Sequence, residues 1–168
     1  MIHLETERLI LRNLKPVDAE VMHDYRNDIR CSRYQRGQTK DLPGIRELVR
    51  KRMDASITDQ DNFIVAVERK DTKEMIGEIV VMPNDGCFSL GYTFHYAYHR
   101  QGYAYEALCM LVNHLHERYP NMEFICFTEP ENVASMALLR KLGYRDLGYS
   151  AKVESQVFGK WLQDEDWE

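Results

Sequence analysis

The chain has 168 residues, 44% hydrophobic and 29% charged, with a net charge of −5 at pH 7; that is one domain's length, residues 1–168, with enough core to stand without covalent staples. The acidic balance argues against a nucleic-acid surface, permits a cationic substrate and also serves solubility. Four widely spaced cysteines without a Cys-x-x-Cys pair suggest neither a disulfide framework nor a zinc site, and apolar runs such as residues 63–67 are too short to span a bilayer, so a soluble cytoplasmic protein without a metal is expected.

In chain order, residues 8–12 read as a first strand. Pro16 then sits at a helix N1 position, with Asp18 and Glu20 in the first turn and Val17, Val21 and Tyr25 along one side. Asp41 caps a second helix, whose apolar stripe is Ile45, Leu48, Val49 and Met53. Residues 63–68, 75–82 and 87–94 follow as strand-like runs, separated by turn chemistry at 70–73 and 83–86, and predict a three-stranded antiparallel meander.

The next segment, His99-Arg100-Gln101-Gly102-Tyr103-Ala104, leads straight into an amphipathic helix. Its stripe, Ala104, Ala107, Leu108, Leu111, Val112 and Leu115, falls at i, i+3, i+4, i+7, i+8 and i+11, and Pro120 ends it. A helix starting there turns its free N–H groups and positive dipole end toward the loop, which favours a phosphate. Gly102 allows close backbone approach and Arg100 adds positive charge; an ordinary turn with a solvated Arg is the plainer reading of these two residues alone.

Residues 124–127 form a continuous apolar run, the pattern of a strand buried on both faces and paired parallel across the helix. Asn132 caps a short helix with Ala134, Ala137, Leu138 and Leu142 inward, and Gly143 stops it. Residues 144–150 and 153–161 read as a terminal pair of strands. The architecture is α+β: an antiparallel meander continuing through one βαβ unit into a mixed sheet.

Four segments in this order carry a family resemblance: Leu4-Glu5-Thr6-Glu7-Arg8-Leu9-Ile10-Leu11-Arg12, Ile76-Gly77-Glu78-Ile79, Leu90-Gly91-Tyr92 running into Gln101-Gly102-Tyr103-Ala104-Tyr105-Glu106-Ala107-Leu108, and Asn132-Val133-Ala134-Ser135 with Lys141-Leu142-Gly143-Tyr144. Together they resemble the GNAT superfamily of N-acetyltransferases and, within it, the RimJ/RimL-like branch. The resemblance implies a mostly antiparallel twisted sheet flanked by helices, and acetyl transfer from acetyl-CoA, as co-substrate, to a primary amine by direct attack in a ternary complex. It implies that residues Arg100, Gln101, Gly102, Tyr103 and Ala104 hold the CoA pyrophosphate. The pantetheine arm is expected to lie along the preceding strand near Phe94, His95 and Tyr96, and Asn132 matches the family Asn that holds it or its neighbourhood; a plain N-cap is the alternative. His99 departs from the Gln or Arg common at that place, and Ser89 stands where the branch often carries Glu.

The chemistry needs a neutral amine, donors for the thioester oxygen and an acid for the leaving thiolate. Glu78 is the leading candidate base, because it interrupts an otherwise apolar strand, and a carboxylate in a partly dry cleft has a raised pKa; an exposed strand position is the competing reading. Ser135 matches the Ser of the Asn-x-x-Ser pattern and is the candidate acid near the thiol, with capping or packing as its alternative. Glu129 and Glu131, beside Asn132, are the alternatives to Glu78, as attractors of a cationic substrate or as first-turn charges, and Tyr25, Tyr34, Tyr92, Tyr96 and Tyr98 are candidates for lining an acceptor pocket, with core or rim packing the plainer reading of most of them. The acceptor, a peptide N-terminus or a small amine, is not named by the sequence, and monomer and homodimer both stay open. A catalytically silent acyl-CoA-binding regulatory module is the alternative function.

Overall fold

The computed structural model describes residues 1–163. Eight strands form a single sheet: β1 (His3–Glu5), β2 (Leu9–Asn13), β3 (Phe63–Arg69), β4 (Met75–Asn84), β5 (Cys87–Phe94), β6 (Glu123–Thr128), β7 (Arg145–Ser150) and β8 (Ser155–Lys160), in the spatial order β1-β2-β3-β4-β5-β6-β8-β7. Every pairing is antiparallel except β5 with β6. Helices α1 (Asp18–Arg26), α2 (Ile29–Ser32) and α3 (Leu42–Arg52) cover one face, and α4 (Tyr103–Arg118) and α5 (Val133–Lys141) the other. This is the mixed, mostly antiparallel α+β sheet the sequence predicts.

Strand alternation divides the core in two. Phe63, Val65 and Val67 of β3 turn toward α4, where Ala107, Leu108, Leu111, Val112 and Leu115 meet them; Ile64 and Ala66 turn toward Ala19, Met22, Ile45 and Val49 of α1 and α3. Full burial of each Leu, Val or Ile is worth about 1.5–3 kcal/mol, so both helical layers are held chiefly by the sheet. Among the described residues no helix is long and apolar enough to cross a membrane.

Several elements differ from the sequence pattern. The three-residue β1 and four-residue α2 carry too few positions for a periodicity. Helix α1 buries Asp18, Ala19, Met22, Tyr25 and Arg26, while Val17 is exposed and Val21 only half-buried. The reason is charge pairing: Arg12 on β2 donates to both oxygens of Asp18 at 2.8 and 3.0 Å and to Glu68 of β3 at 2.9 Å, so two charged residues of α1 turn inward because remote partners wait there. Helix α5 buries Leu139, and its C-cap Leu142, while Leu138 is half-buried and Ala134 and Ala137 stay outside. Phe127 of β6 is 48% exposed, so that strand is not covered on both faces along its whole length.

That exposure has a topological cause. β5 and β6 pair only at Cys87↔Glu123 and Phe88↔Phe124; beyond this point the strands part, leaving a gap between residues 90–94 and 126–128 in the middle of the sheet. Phe127 stands at its edge.

Candidate active site

On the α4 face the site begins where β5 ends. His95 caps a 3-10 turn at Tyr96–Tyr98, and the chain then passes Arg100 and Gly102, both in the left-handed region at φ 62 and 80°, into α4. Gly102 is the N-cap, where a side chain would add left-handed strain at the helix mouth to that already carried by Arg100. The first helical bond runs from Glu106 N–H to Gly102 O at 3.1 Å, so the amides of Tyr103, Ala104 and Tyr105 have no acceptor within the helix and point, with the dipole, out of its end. Gln101 turns its side-chain amide back to the Ala97 carbonyl at 3.0 Å, leaving main chain as the loop's outward donor.

Residues far upstream brace this loop. Glu106 accepts from the Thr6 hydroxyl, from Arg8 N–H at 3.0 Å and from Arg8 Nε at 2.7 Å, while Arg8 Nη1 donates to the Gln101 carbonyl at 3.0 Å and its guanidinium lies 4.2 Å from the centre of the Tyr103 ring. The conspicuous opening segment thus holds the start of α4 in place. Burial pushes the Glu106 carboxyl up, but the bonds from Thr6 and Arg8 outweigh it and leave the pKa lowered. A lowered carboxyl contributes its stabilisation above the unfolded pKa near ~4.3 and loses it as pH falls through the folded value. Glu106→Gln is therefore expected to raise the Kd for CoA roughly threefold to tenfold at pH 7, for lost charge-assisted bonds, and to flatten the loss of affinity below about pH 4.5. Titration calorimetry across that range checks it; identical Kd values for both proteins would discard the brace.

The gap between β5 and β6 opens beside α5. Asn132 caps α5, its Oδ1 accepting from Ser135 N–H at 3.2 Å, and Ser135 Oγ hydrogen-bonds the Tyr92 hydroxyl across the gap. Burial drives the Tyr92 pKa up, with the Ser135 bond opposing. Tyr92, Asn132 and Ser135 share a cavity with Cys126 and Leu139. Phe94, His95 and Tyr96 do not line it. The Phe94 carbonyl accepts from His99 Nε2 at 2.6 Å, and His95 Nδ1 accepts from Ala97 N–H, so its Nε2 carries the proton toward Asp24 of α1, 2.9 Å away. Tyr96 donates to the same carboxylate at 3.3 Å.

Through the gap, the α1 face holds a second cavity, of about 280 Å3. Its floor is Ile64, Val80, Met82 and Gly91 on three adjacent strands, and its roof is the polar segment 35–39, which crosses from α2 to α3. Gln35 Nε2 donates to the Tyr92 carbonyl at 2.9 Å, Gln38 Nε2 to Thr93 Oγ1 at 2.8 Å, and Arg36 pairs with Glu129 while its guanidinium also reaches the Glu154 carbonyl at 2.8 Å. Glu129 thus neutralises an arginine of the roof, Tyr34 lies at the rim, and Glu131 is beside it.

Glu78 is fully buried and meets this cavity only through its partner Arg26. Arg26 donates to it from Nε at 2.7 Å and from Nη2 at 2.6 Å, and the Tyr25 hydroxyl adds a bond at 2.8 Å. The partly dry cleft expected around Glu78 is filled by that guanidinium, which itself forms cavity wall. Sequence reasoning missed Arg26, Gln35, Arg36, Gln38 and Arg52, since single polar residues in short helices and loops carry no periodic signal. Among the described residues, no group of three His, Cys, Asp or Glu is placed to hold a metal.

A sheet split at its centre, an anion-seeking helix end on one face and an open cavity on the other define a two-substrate transferase architecture. The model of the acetyltransferase (GNAT) domain matches residues 8–145, and the chain belongs to that family of acetyl-CoA-dependent acyltransferases. It is 29% identical over 150 residues to an uncharacterised N-acetyltransferase, p20, of Bacillus licheniformis, covering 86% of this chain and 83% of that one. Its fold is similar to a GNAT-family acetyltransferase of Bacillus anthracis, with TM-score 0.81, 23% identity and coverage of 94% and 96% of the two chains. It is equally similar, with TM-score 0.81, 14% identity and coverage of 95% and 97%, to RimL, a ribosomal-protein alpha-N-acetyltransferase solved in complex with coenzyme A.

Proposed function

We propose that the chain acetylates a primary α-amine, with acetyl-CoA on the α4 face and the acceptor entering from the α1 face, and that the two meet in the gap between β5 and β6. The observation that carries this reading is the gap itself, which joins the cavity of Tyr92 and Ser135 to the cavity under segment 35–39 through shared walls at Gln35 and Gly91. Amides 103–105 with Arg100 and Gly102 are suited to the pyrophosphate, and the unpaired edge of β5 to the pantetheine amides. Ser135 is positioned to protonate the leaving thiolate. Asn132 fixes Ser135 by capping its helix.

The amine class follows from the lining: among the described residues the acceptor cavity has no carboxylate, and the one that borders the gap, Glu129, is paired with Arg36. With Glu78 committed to Arg26, the amine proton goes to water. At pH 7.5 an α-amine of pKa about 7.7–8.0 is roughly one-third neutral, whereas a lysine amine of pKa about 10.4 is neutral only about once in a thousand molecules. A site without a base therefore favours the α-amine by two to three orders of magnitude. The same lining favours a second reading, a silent acyl-CoA-binding module. Thiol release from acetyl-CoA, followed with an amine panel, decides: release that depends on an α-amine and rises up to about pH 8 supports the transferase, and CoA binding without turnover supports the module.

A further inference from the structure

We infer that the acceptor carries an anionic group some distance from its amine, and that Arg52 at the end of α3 is the residue that selects it. The inference rests on the transferase reading above and names the acceptor's chemistry. Three arginines line the acceptor cavity, Arg26, Arg36 and Arg52, and no Asp or Glu does so among the described residues. Two of the three are already neutralised from outside the cavity, Arg26 by Glu78 and Arg36 by Glu129. Arg52 is half-buried, and among the described residues its one side-chain hydrogen bond runs from Nη1 to the Asn62 carbonyl at 3.0 Å and it has no carboxylate partner. The cavity therefore carries one uncompensated positive charge over an apolar floor, where a desolvated anion gains more than it would in water.

The register fixes how far that charge lies from the chemistry. Ile64 pairs with Val80, and Val80 with Gly91, so the floor from the gap to the start of β3 spans two strand spacings, about 10 Å. Arg52 and Asn62 close the β3 end, while Gly91 stands at the gap. An extended peptide advances about 3.3 Å per residue, so an amine in the gap places the third residue of a peptide beside Arg52. Gln38 belongs to the same lining, and its Oε1 is buried without a hydrogen-bond partner among the described residues.

The test uses two tetrapeptide amides with free α-amines that differ only in Asp against Asn at the third position, each assayed for kcat/KM with acetyl-CoA. Wild type is expected to favour the Asp peptide about tenfold. Arg52→Gln is expected to bring the two values within twofold of each other, and Arg52→Lys, which keeps the charge, to retain part of the preference. Equal kcat/KM for the two peptides in wild type overturns this inference while leaving the transferase reading intact, as does a full preference that survives in Arg52→Gln. Turnover of no amine overturns the transferase reading and this inference with it.

Discussion

Glu78→Gln is expected to destabilise the protein by about 3–5 kcal/mol, the range for breaking one half of a buried ion pair. Both Glu78 oxygens are used, by two nitrogens of Arg26 and by the Tyr25 hydroxyl, and neither partner has solvent to fall back on: Arg26 is 3% exposed and Tyr25 fully buried. The amide removes the compensating charge and turns an NH2 group toward a cation. Against a typical total stability of about 5–15 kcal/mol this is a large fraction, and for a chain of this size it lowers the melting temperature by roughly 10 °C. Replacing the whole cluster, with Glu78→Met, Arg26→Met and Tyr25→Phe together, is expected to recover most of that loss, because no buried polar group is then left alone. Urea titrations of the single and triple variants check both statements. A catalytic base would behave differently: Glu78→Gln would leave the urea midpoint unmoved and lower kcat by about 10²–10⁴. An unmoved midpoint therefore defeats the anchoring role.

The parts of the molecule that sequence predicts well are those whose information is local. The meander from β3 to β5 is written in alternation and turn residues; α4 in a stripe about three turns long; the ends of α5 in Asn132 and in Gly143, which sits at φ 91° as the residue after the C-cap. The loop before α4 is legible for the same reason, since a strand, a glycine and a helix start follow one another in the chain. What the pattern hides depends on partners remote in sequence. Asp18 and Arg26 read as the solvent side of α1, yet Arg12 and Glu78 draw them inward across 6 and 52 residues. Phe127 reads as core, yet it borders a gap created by the divergence of two strands. β8 inserts between β6 and β7, so sheet order departs from chain order. The cavity proposed for the acceptor is assembled from side chains of α1, segment 35–39, α3, β3, β4 and β5, and its charge balance exists only after folding: Arg52 differs from Arg26 and Arg36 in what has been placed next to it.

Ser135→Ala is expected to lower kcat about 10²-fold, the lower end of what a positioned general acid contributes, while KM for acetyl-CoA moves by less than about threefold, since the pyrophosphate cradle proposed at the start of α4 is untouched. The geometry gives Ser135 two anchors. Its backbone N–H is fixed by Asn132 Oδ1, and its hydroxyl faces the Tyr92 hydroxyl in the gap, with Leu139 as an apolar neighbour in the same lining. Burial holds the Tyr92 proton on its oxygen, so the phenol is able to donate to Ser135 Oγ, and in that arrangement of the bond it orients Oγ and leaves the serine proton to face a thiolate. Tyr92→Phe removes that orientation but keeps the hydroxyl that would touch sulfur, and a loss nearer tenfold is expected. The two residues then act as one unit: the double variant is expected to be no slower than Ser135→Ala alone, a strongly non-additive cycle. Steady-state kinetics of the three variants, with thermal melts within about 3 °C of wild type to show an intact fold, read this out. A Ser135→Ala enzyme within twofold of the wild-type kcat would remove the acid role, and additive losses in the double variant would separate Tyr92 from it.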